Sequence, residues 1–302
     1  MHKSVLLEEC IENLNIKDDS IIVDCTLGYG GHSSEILKRI PNGKLYAFDQ
    51  DSEAIKYSSD RLNKIGSNYQ IIKSNFENIK KELENKEIDG ILYDLGVSSP
   101  QLDTDERGFS FHGDARLDMR MDKDSTLSAY EVVNNYSYQE LTNILYKYGE
   151  EKYASSIVKG IIKAREIKAI ETTLELAEII KNNVPEKYRR EKHPARKTFQ
   201  AIRIEVNREL DVFESSLKQA LDLIKVGGRI CVITFHSLED KICKQIFKSV
   251  STLDSNLKQL PVIPGELEPK FKIIGSIKPS KEELENNKRA RSAKLRIIER
   301  VR

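Results

Sequence analysis

Helix and strand patterns alternate through the first third of this 302-residue chain, and that alternation constrains the fold more than any other feature. Val5–Leu14 carries the apolar spacing of an amphipathic helix. Ser20–Thr26 (SIIVDCT) reads as a strand running into a glycine-rich turn, and Ser33–Arg39 as the helix after it. Lys44–Asp49 is a second strand, Ser52–Ile65 a capped helix, Tyr69–Lys73 a third strand and Ile88–Leu95 a fourth. Strands separated by helices predict a parallel, doubly wound α/β sheet. From about Ser125 to Arg208 the pattern is helical, as at Leu141–Tyr148, Ala154–Ile167 and Leu174–Asn182. Strand signals return at Arg229–Phe235, after a helix Val212–Lys225 ended by Gly227-Gly228, and again at Phe271–Ile277 and Lys294–Val301. Ser251–Pro269 reads as a mobile connection. The expected architecture is a sheet domain in two parts, 1–108 and 206–302, interrupted by an all-helical insertion, 109–205.

Two loops stand where such a sheet places its ligands. Asp24-Cys-Thr-Leu-Gly28-Tyr-Gly30-Gly31-His32 ends the first strand, and Asp49 ends the second, where a carboxylate can accept from ribose hydroxyls. A dinucleotide fold wants a third glycine or alanine for close helix packing, and Ser33 stands there. A sulfonium methyl donor carries no phosphate and needs an acid near its amino-acid end, where Asp24 is placed. A methyl-donor site, a dinucleotide site and a structural turn all stay open on this loop alone. The fourth strand then runs into Asp94-Leu-Gly-Val-Ser98-Ser99-Pro100, a turn that presents hydroxyls and carbonyls where plain chain reversal would need fewer residues.

With 39% hydrophobic and 32% charged residues the composition fits a soluble globular chain, and no apolar run approaches a membrane span. The N-terminus lacks a signal-peptide pattern. Four scattered cysteines read as reduced, mostly buried thiols of a cytoplasmic protein, and no metal site is expected. Net charge is +1, but Lys288–Arg302 and Lys187–Arg208 are rich in base, which fits either RNA contact or solvated faces.

Several motifs together resemble one family, the RsmH (MraW) methyltransferases. They are HKSVLLEE (His2–Glu9), GYGGHS (Gly28–Ser33), DLGVSSPQLD (Asp94–Asp103), ERGFSF (Glu106–Phe111), LDMRMD (Leu117–Asp122) and YGEEKYA (Tyr148–Ala154). KHPARKTFQAIRIEVN (Lys192–Asn207), GGRICVITFHSLEDK (Gly227–Lys241) and RARSAKLRIIER (Arg289–Arg300) complete a resemblance that runs almost end to end. Ser4 departs from it, standing where many relatives carry proline.

The resemblance implies a class I, Rossmann-like methyltransferase sheet with an inserted helical, RNA-binding domain. It implies S-adenosyl-L-methionine as cofactor and, as substrate, the N4 amine of a cytidine in the decoding region of 16S ribosomal RNA within the small subunit. It carries over Gly30, Gly31, His32, Asp49, Phe76, Asp94 and Gln101 as cofactor positions. Monomer and homodimer stay open. The cytosine amine is a poor nucleophile because its lone pair is delocalised into the ring, so an enzyme must align it and accept its hydrogen bonds. Asp94 and oxygens of Ser98–Pro100, Ser99 among them, are the candidates; His236 in TFHSLED is a further one, with a structural role equally open. The target base is expected flipped from its stack. Phe109, Phe111 and Phe199 can stack on a base or pack the core, His112 and His193 read as satisfied polar residues, and Asp118 with Arg120 can pair to stiffen the loop. The runner-up is an N4- or N6-amino methyltransferase for a different nucleic acid, and readings of another class are an NAD-linked oxidoreductase and a noncatalytic RNA-binding assembly factor.

Overall fold

The computed structural model describes residues 4–191, 193–253 and 265–302, apart from the side chains of Ser99, Glu191 and Glu266. The chain divides into two compact units, 1–96 with 210–302, and 97–209.

The first unit is built on a seven-stranded sheet of order β3-β2-β1-β4-β5-β7-β6. In chain order the strands are β1 (Ile21–Asp24), β2 (Lys44–Asp49), β3 (Tyr69–Lys73), β4 (Ile88–Asp94), β5 (Ile224–Thr234), β6 (Phe271–Ile277) and β7 (Lys294–Arg300). β1 to β5 are parallel; β7 runs antiparallel to β5 and β6. Parallel strands are covered on both faces, and alternate residues accordingly enter two cores. Val23, Phe48, Ile91, Tyr93 and Val232 face one, with Phe213 and Phe247 over them. Ile22, Leu45, Ala47, Leu92 and Cys231 face the other, under Leu6, Leu14, Ile36 and Leu37. Burying each of the valine, leucine, isoleucine and phenylalanine side chains among them stabilises by roughly 1.5–3 kcal/mol.

Helices α1 (Leu7–Asn13), α2 (Gly31–Arg39), α3 (Ser52–Leu62) and α4 (Ile79–Leu83) link or flank the first strands. The chain adds β2 and β3 on one side of β1, then returns to place β4 on the other. That reversal lies between β1 and β4, and open α/β sheets bind ligands at the strand carboxyl ends there. Asp24, Asp49 and Asp94 are the last residues of β1, β2 and β4.

The second unit is helical: α5 (Ser99–Asp103), α6 (Ala129–Asn135), α7 (Tyr138–Lys147), α8 (Ala154–Arg165), α9 (Thr173–Asn182), α10 (Glu186–Glu191) and α11 (Ala195–Asn207). Reciprocal caps start four of these helices, pairing Ser98 with Gln101, Ser128 with Glu131, Ser137 with Glu140 and Thr172 with Glu175. α11 packs on α6, α7 and α9. The unit runs wider than 109–205 because α5 packs on the turn Asp105–Arg107 that leads into it.

α12 (Glu209–Leu223), α13 (Ser237–Ser251) and α14 (Lys281–Asn286) complete the chain. Gly227 and Gly228 do not end a helix; both fall within β5, which begins at Ile224 opposite Ile88. The register slips between Ile88 and Gly90, and Gly227 takes φ +82° where the strand leaves the ladder. Most of the connection Ser251–Pro269 lies outside the described residues.

Candidate active site

The turn after β1 is organised by a buried acid. Asp24, 1% exposed, accepts from the Thr26 amide (3.0 Å) and hydroxyl (3.3 Å) through Oδ1, and from the Ser33 hydroxyl (2.7 Å) through Oδ2. The Thr26 hydroxyl in turn accepts from the Asp94 amide at 2.7 Å. Asp24 therefore braces the turn, α2 and β4 together, and almost none of it reaches solvent to meet a ligand. Ser33 occupies the third-glycine place as its partner. Gly30, at φ +72°, is the N-cap of α2 and lets Gly31 and His32 open that helix.

Asp49 faces the same turn. It accepts from the Gly28 amide (2.8 Å) through Oδ2 and from the Asp51 amide (2.8 Å) through Oδ1. Burial raises its carboxyl to about 6, while the backbone donors oppose the rise. Each carboxylate oxygen keeps capacity for a further donor, as a ribose diol would supply.

His32 and Asp94 form the second part of the site. His32 is 4% exposed; its Nε2 lies 3.1 Å from the Val5 carbonyl, which can only accept, so that nitrogen carries a proton. Its Nδ1 lies 3.5 Å from Asp94 Oδ2. Burial raises the Asp94 carboxyl to about 6; His32 opposes the rise, and Asp24 and Glu239 add to it. The Asp94 side chain is 26% exposed, so a buried, proton-hungry carboxyl still reaches the surface at the switch point.

His236 follows β5, the strand hydrogen-bonded to β4, and takes the N-cap position of α13. Its Nε2 lies 3.0 Å from Glu239 Oε1, while the other Glu239 oxygen accepts from the Phe235 (2.7 Å) and His236 (3.3 Å) amides. Sequence reasoning missed Glu239, although an acid three residues into a helix is the spacing of a reciprocal cap. Phe76, just past β3, is half-buried and meets Tyr93 edge-on at 5.7 Å.

Gly30, Gly31, His32, Asp49 and Asp94 thus come together around the ends of β1, β2 and β4, with His236 at the end of β5 and Phe76 at that of β3. A glycine turn, a ribose-type acid, a half-buried aromatic ring and an acid at the reacting end fit S-adenosylmethionine. Ser99 and Gln101 belong to the helical unit. Ser99 opens α5, its side chain outside the described residues; Gln101 Oε1 accepts from the Ser98 amide (3.0 Å).

The basic segments are largely tied down. Arg296 and Lys294 pair with Asp240, Arg300 donates to the Asp222 and Ile224 carbonyls, and Arg302 pairs with Glu268. In the other segment Arg190 pairs with Glu186 and Arg203 with Glu209, and Lys197 donates to the Glu150 carbonyl. The four cysteines are buried, and no helix among the described residues is long and apolar enough to cross a membrane.

Comparison with known proteins identifies the family. The sequence matches the MraW methylase family over residues 1–301. It is 55% identical to the ribosomal RNA small subunit methyltransferase H of Exiguobacterium sibiricum, covering 100% of this chain and 98% of that one. It is 53% identical to the protein of that name from Finegoldia magna, covering 99% and 98%. Among solved structures it aligns with an rRNA methylase from Streptococcus thermophilus at 14% identity and a TM-score of 0.45, covering 100% and 99%. The chain therefore belongs to the MraW methylase family, and it is an S-adenosylmethionine-dependent methyltransferase with a class I sheet.

Proposed function

We propose that this enzyme, acting in the cytoplasm, methylates the exocyclic N4 amine of a cytidine in the decoding region of 16S ribosomal RNA. The observation that carries the reading is the 55% identity, over the whole chain, to a relative named for methylating small-subunit ribosomal RNA. Asp94 supports an amine as acceptor: a carboxylate with its value near 6 is ionised at neutral pH and accepts hydrogen bonds from N–H groups.

S-adenosylmethionine, when bound, supplies an electrophilic methyl group on a sulfonium. In this reading Asp49 would accept from its ribose hydroxyls, Phe76 would pack on its adenine, and the amides of Gly30–His32 would receive its methionine end. Asp94 accepts from the amine as positive charge develops there, and takes up the proton lost when the new N–C bond is complete. The His32 ring lies against the Asp94 carboxyl, its Nδ1 3.5 Å from Oδ2, and Glu239 holds the His236 ring at the start of α13. Ser99 and Gln101 join this list from the resemblance, Ser99 toward the reacting amine and Gln101 toward the cofactor.

The test is transfer of a labelled methyl group from S-adenosylmethionine to small ribosomal subunits lacking the modification, followed by nucleoside digestion. Label in N4-methylated cytidine is the expected result. Label in another nucleoside removes the N4 assignment, and cofactor binding without transfer to any subunit form favours an assembly factor.

A further inference from the structure

The loop Glu106–Met121 and the segment 193–199, which opens α11, build an aromatic column that the chemistry above does not use. Phe111 is its centre. The Phe111 ring stacks on His193, with centroids 4.3 Å apart and planes 16° from parallel, and meets Phe199 edge-on at 5.5 Å. His112 lies 4.5 Å from Phe111 and 5.4 Å from His193. Exposure rises along the column: Phe199 is buried, Phe111 half-buried, and both histidines exposed. Phe111 covers one face of the His193 ring, and the residue as a whole is exposed.

The column is held stiffly. Arg107 donates to the Arg120 and Met121 carbonyls (3.0 and 3.4 Å), and the Met119 amide donates to the Arg107 carbonyl (3.1 Å). Asn207 of α11 accepts from the Met121 amide and donates to the Met119 carbonyl, both at 2.8 Å. Met119 is fully buried at φ +58°, a left-handed conformation that a side chain adopts only when its surroundings impose it. His193 Nδ1 accepts from the Ala195 amide (3.3 Å), which leaves the ring proton on Nε2 and sets the ring plane. Burial, with His112 and Lys181 adding, holds the His193 imidazole below its ordinary value, which favours the uncharged ring. Arg196, one turn further along α11, is exposed.

We propose that the His193–Phe111 stack, with His112 at its edge, is a platform on which an unpaired nucleobase of the RNA substrate stacks. The proposal rests on the ribosomal RNA reading above. Pre-ordered flat rings bind a base with little loss of side-chain freedom, and stacking accepts any base, so the platform serves to dock the strand and carries no sequence preference. A nearby arginine suits a phosphodiester strand better than an apolar protein surface.

The test titrates a short unstructured RNA containing 2-aminopurine against the whole enzyme and against H193A, H193Y and H112A. Methylation kinetics on subunits lacking the modification and S-adenosylhomocysteine affinity are measured beside it. H193A is expected to weaken RNA binding about tenfold and raise KM for RNA with kcat kept, while cofactor affinity stays the same. H193Y restores both, and the 2-aminopurine quenching lost in H193A returns with it. H112A shows a smaller shift in the same direction. Unchanged RNA affinity and KM in H193A and H112A overturn the platform and leave the methyltransferase reading standing. Cofactor affinity falling in parallel also overturns it, because the rings would then only hold the fold. A defect seen on subunits but not on naked RNA assigns the patch to a protein and overturns it. An enzyme that binds cofactor but neither this RNA nor the subunit overturns the RNA reading and the platform together.

Discussion

Asp49 and Asp94 share one physical circumstance with two consequences. Both are carboxyls whose burial raises their values to about 6 from an ordinary value near 3.8. An acid raised on folding takes up a proton on folding between those two values. The native state therefore loses stability as pH rises through that window, and above about 6 the full cost, on the order of 3 kcal/mol each, is present. D94N is expected to raise the Tm of the free enzyme at neutral pH, with the gain gone by about pH 4, while lowering turnover at least ~100-fold. Thermal unfolding at both pH values, beside single-turnover transfer, checks it; near-normal turnover removes Asp94 from the chemistry. For Asp49 the ionised form is the one that accepts ribose hydroxyls. Cofactor affinity should therefore weaken as pH falls below about 6, and D49N should lose roughly 10- to 100-fold at neutral pH. A flat pH profile in calorimetry with S-adenosylhomocysteine would remove Asp49 from the ribose.

At the scale of elements, the loop that joins α5 to α6 is hydrogen-bonded to α11 through Asn207, which bonds the Met119 carbonyl, the Met121 amide and the Arg203 carbonyl. N207A leaves two loop groups unpaired and releases the left-handed Met119. It should lower stability by about 2 kcal/mol in urea titration, with S-adenosylhomocysteine affinity unchanged because Asn207 lies in the helical unit. A parallel loss of cofactor affinity would show that the loop supports the cofactor site. Nothing in the sequence marks Asn207 for this role, since its partners in the loop lie more than eighty residues away. What the sequence did disclose is periodic or local: Lys44–Asp49, Tyr69–Lys73 and Phe271–Ile277 are strands with the bounds their apolar patterns suggest. The Asp118–Arg120 pair, expected from spacing, has its atoms 2.7 Å apart. The start of β5 was hidden because Lys225-Val-Gly-Gly reads as a helix end, and only the pairing of Ile224 with Ile88 across the sheet makes it a strand. Asp24 misleads for a similar reason: its position suits a ligand, but Thr26, Ser33 and β4 consume its oxygens or the ground around them.

For the whole molecule, charge is where sequence and structure differ most in what they imply. Two segments, Lys187–Arg208 and Lys288–Arg302, concentrate base in a chain of net charge only +1, and a count of side chains suggests a strong electrostatic grip on RNA. Lys294, Arg296 and Arg300 are instead spent on Asp240 and on carbonyls of β5 and α12, and Arg203 on Glu209. Cations held that way cannot release a phosphate's counterions without breaking contacts within the fold. If all fifteen basic residues of the two segments met phosphates, affinity would fall with salt at a logarithmic slope of about 10; with about half of them tied, a slope near ~5 is expected. Stacking then supplies a larger share of RNA affinity, and stacking is nearly indifferent to salt. RNA binding measured across a series of salt concentrations, with cofactor affinity as the internal reference, decides between the two. A steep slope would mean that the ion pairs on β7 and α11 open when RNA arrives, and the basic segments would then carry the grip that their composition suggests.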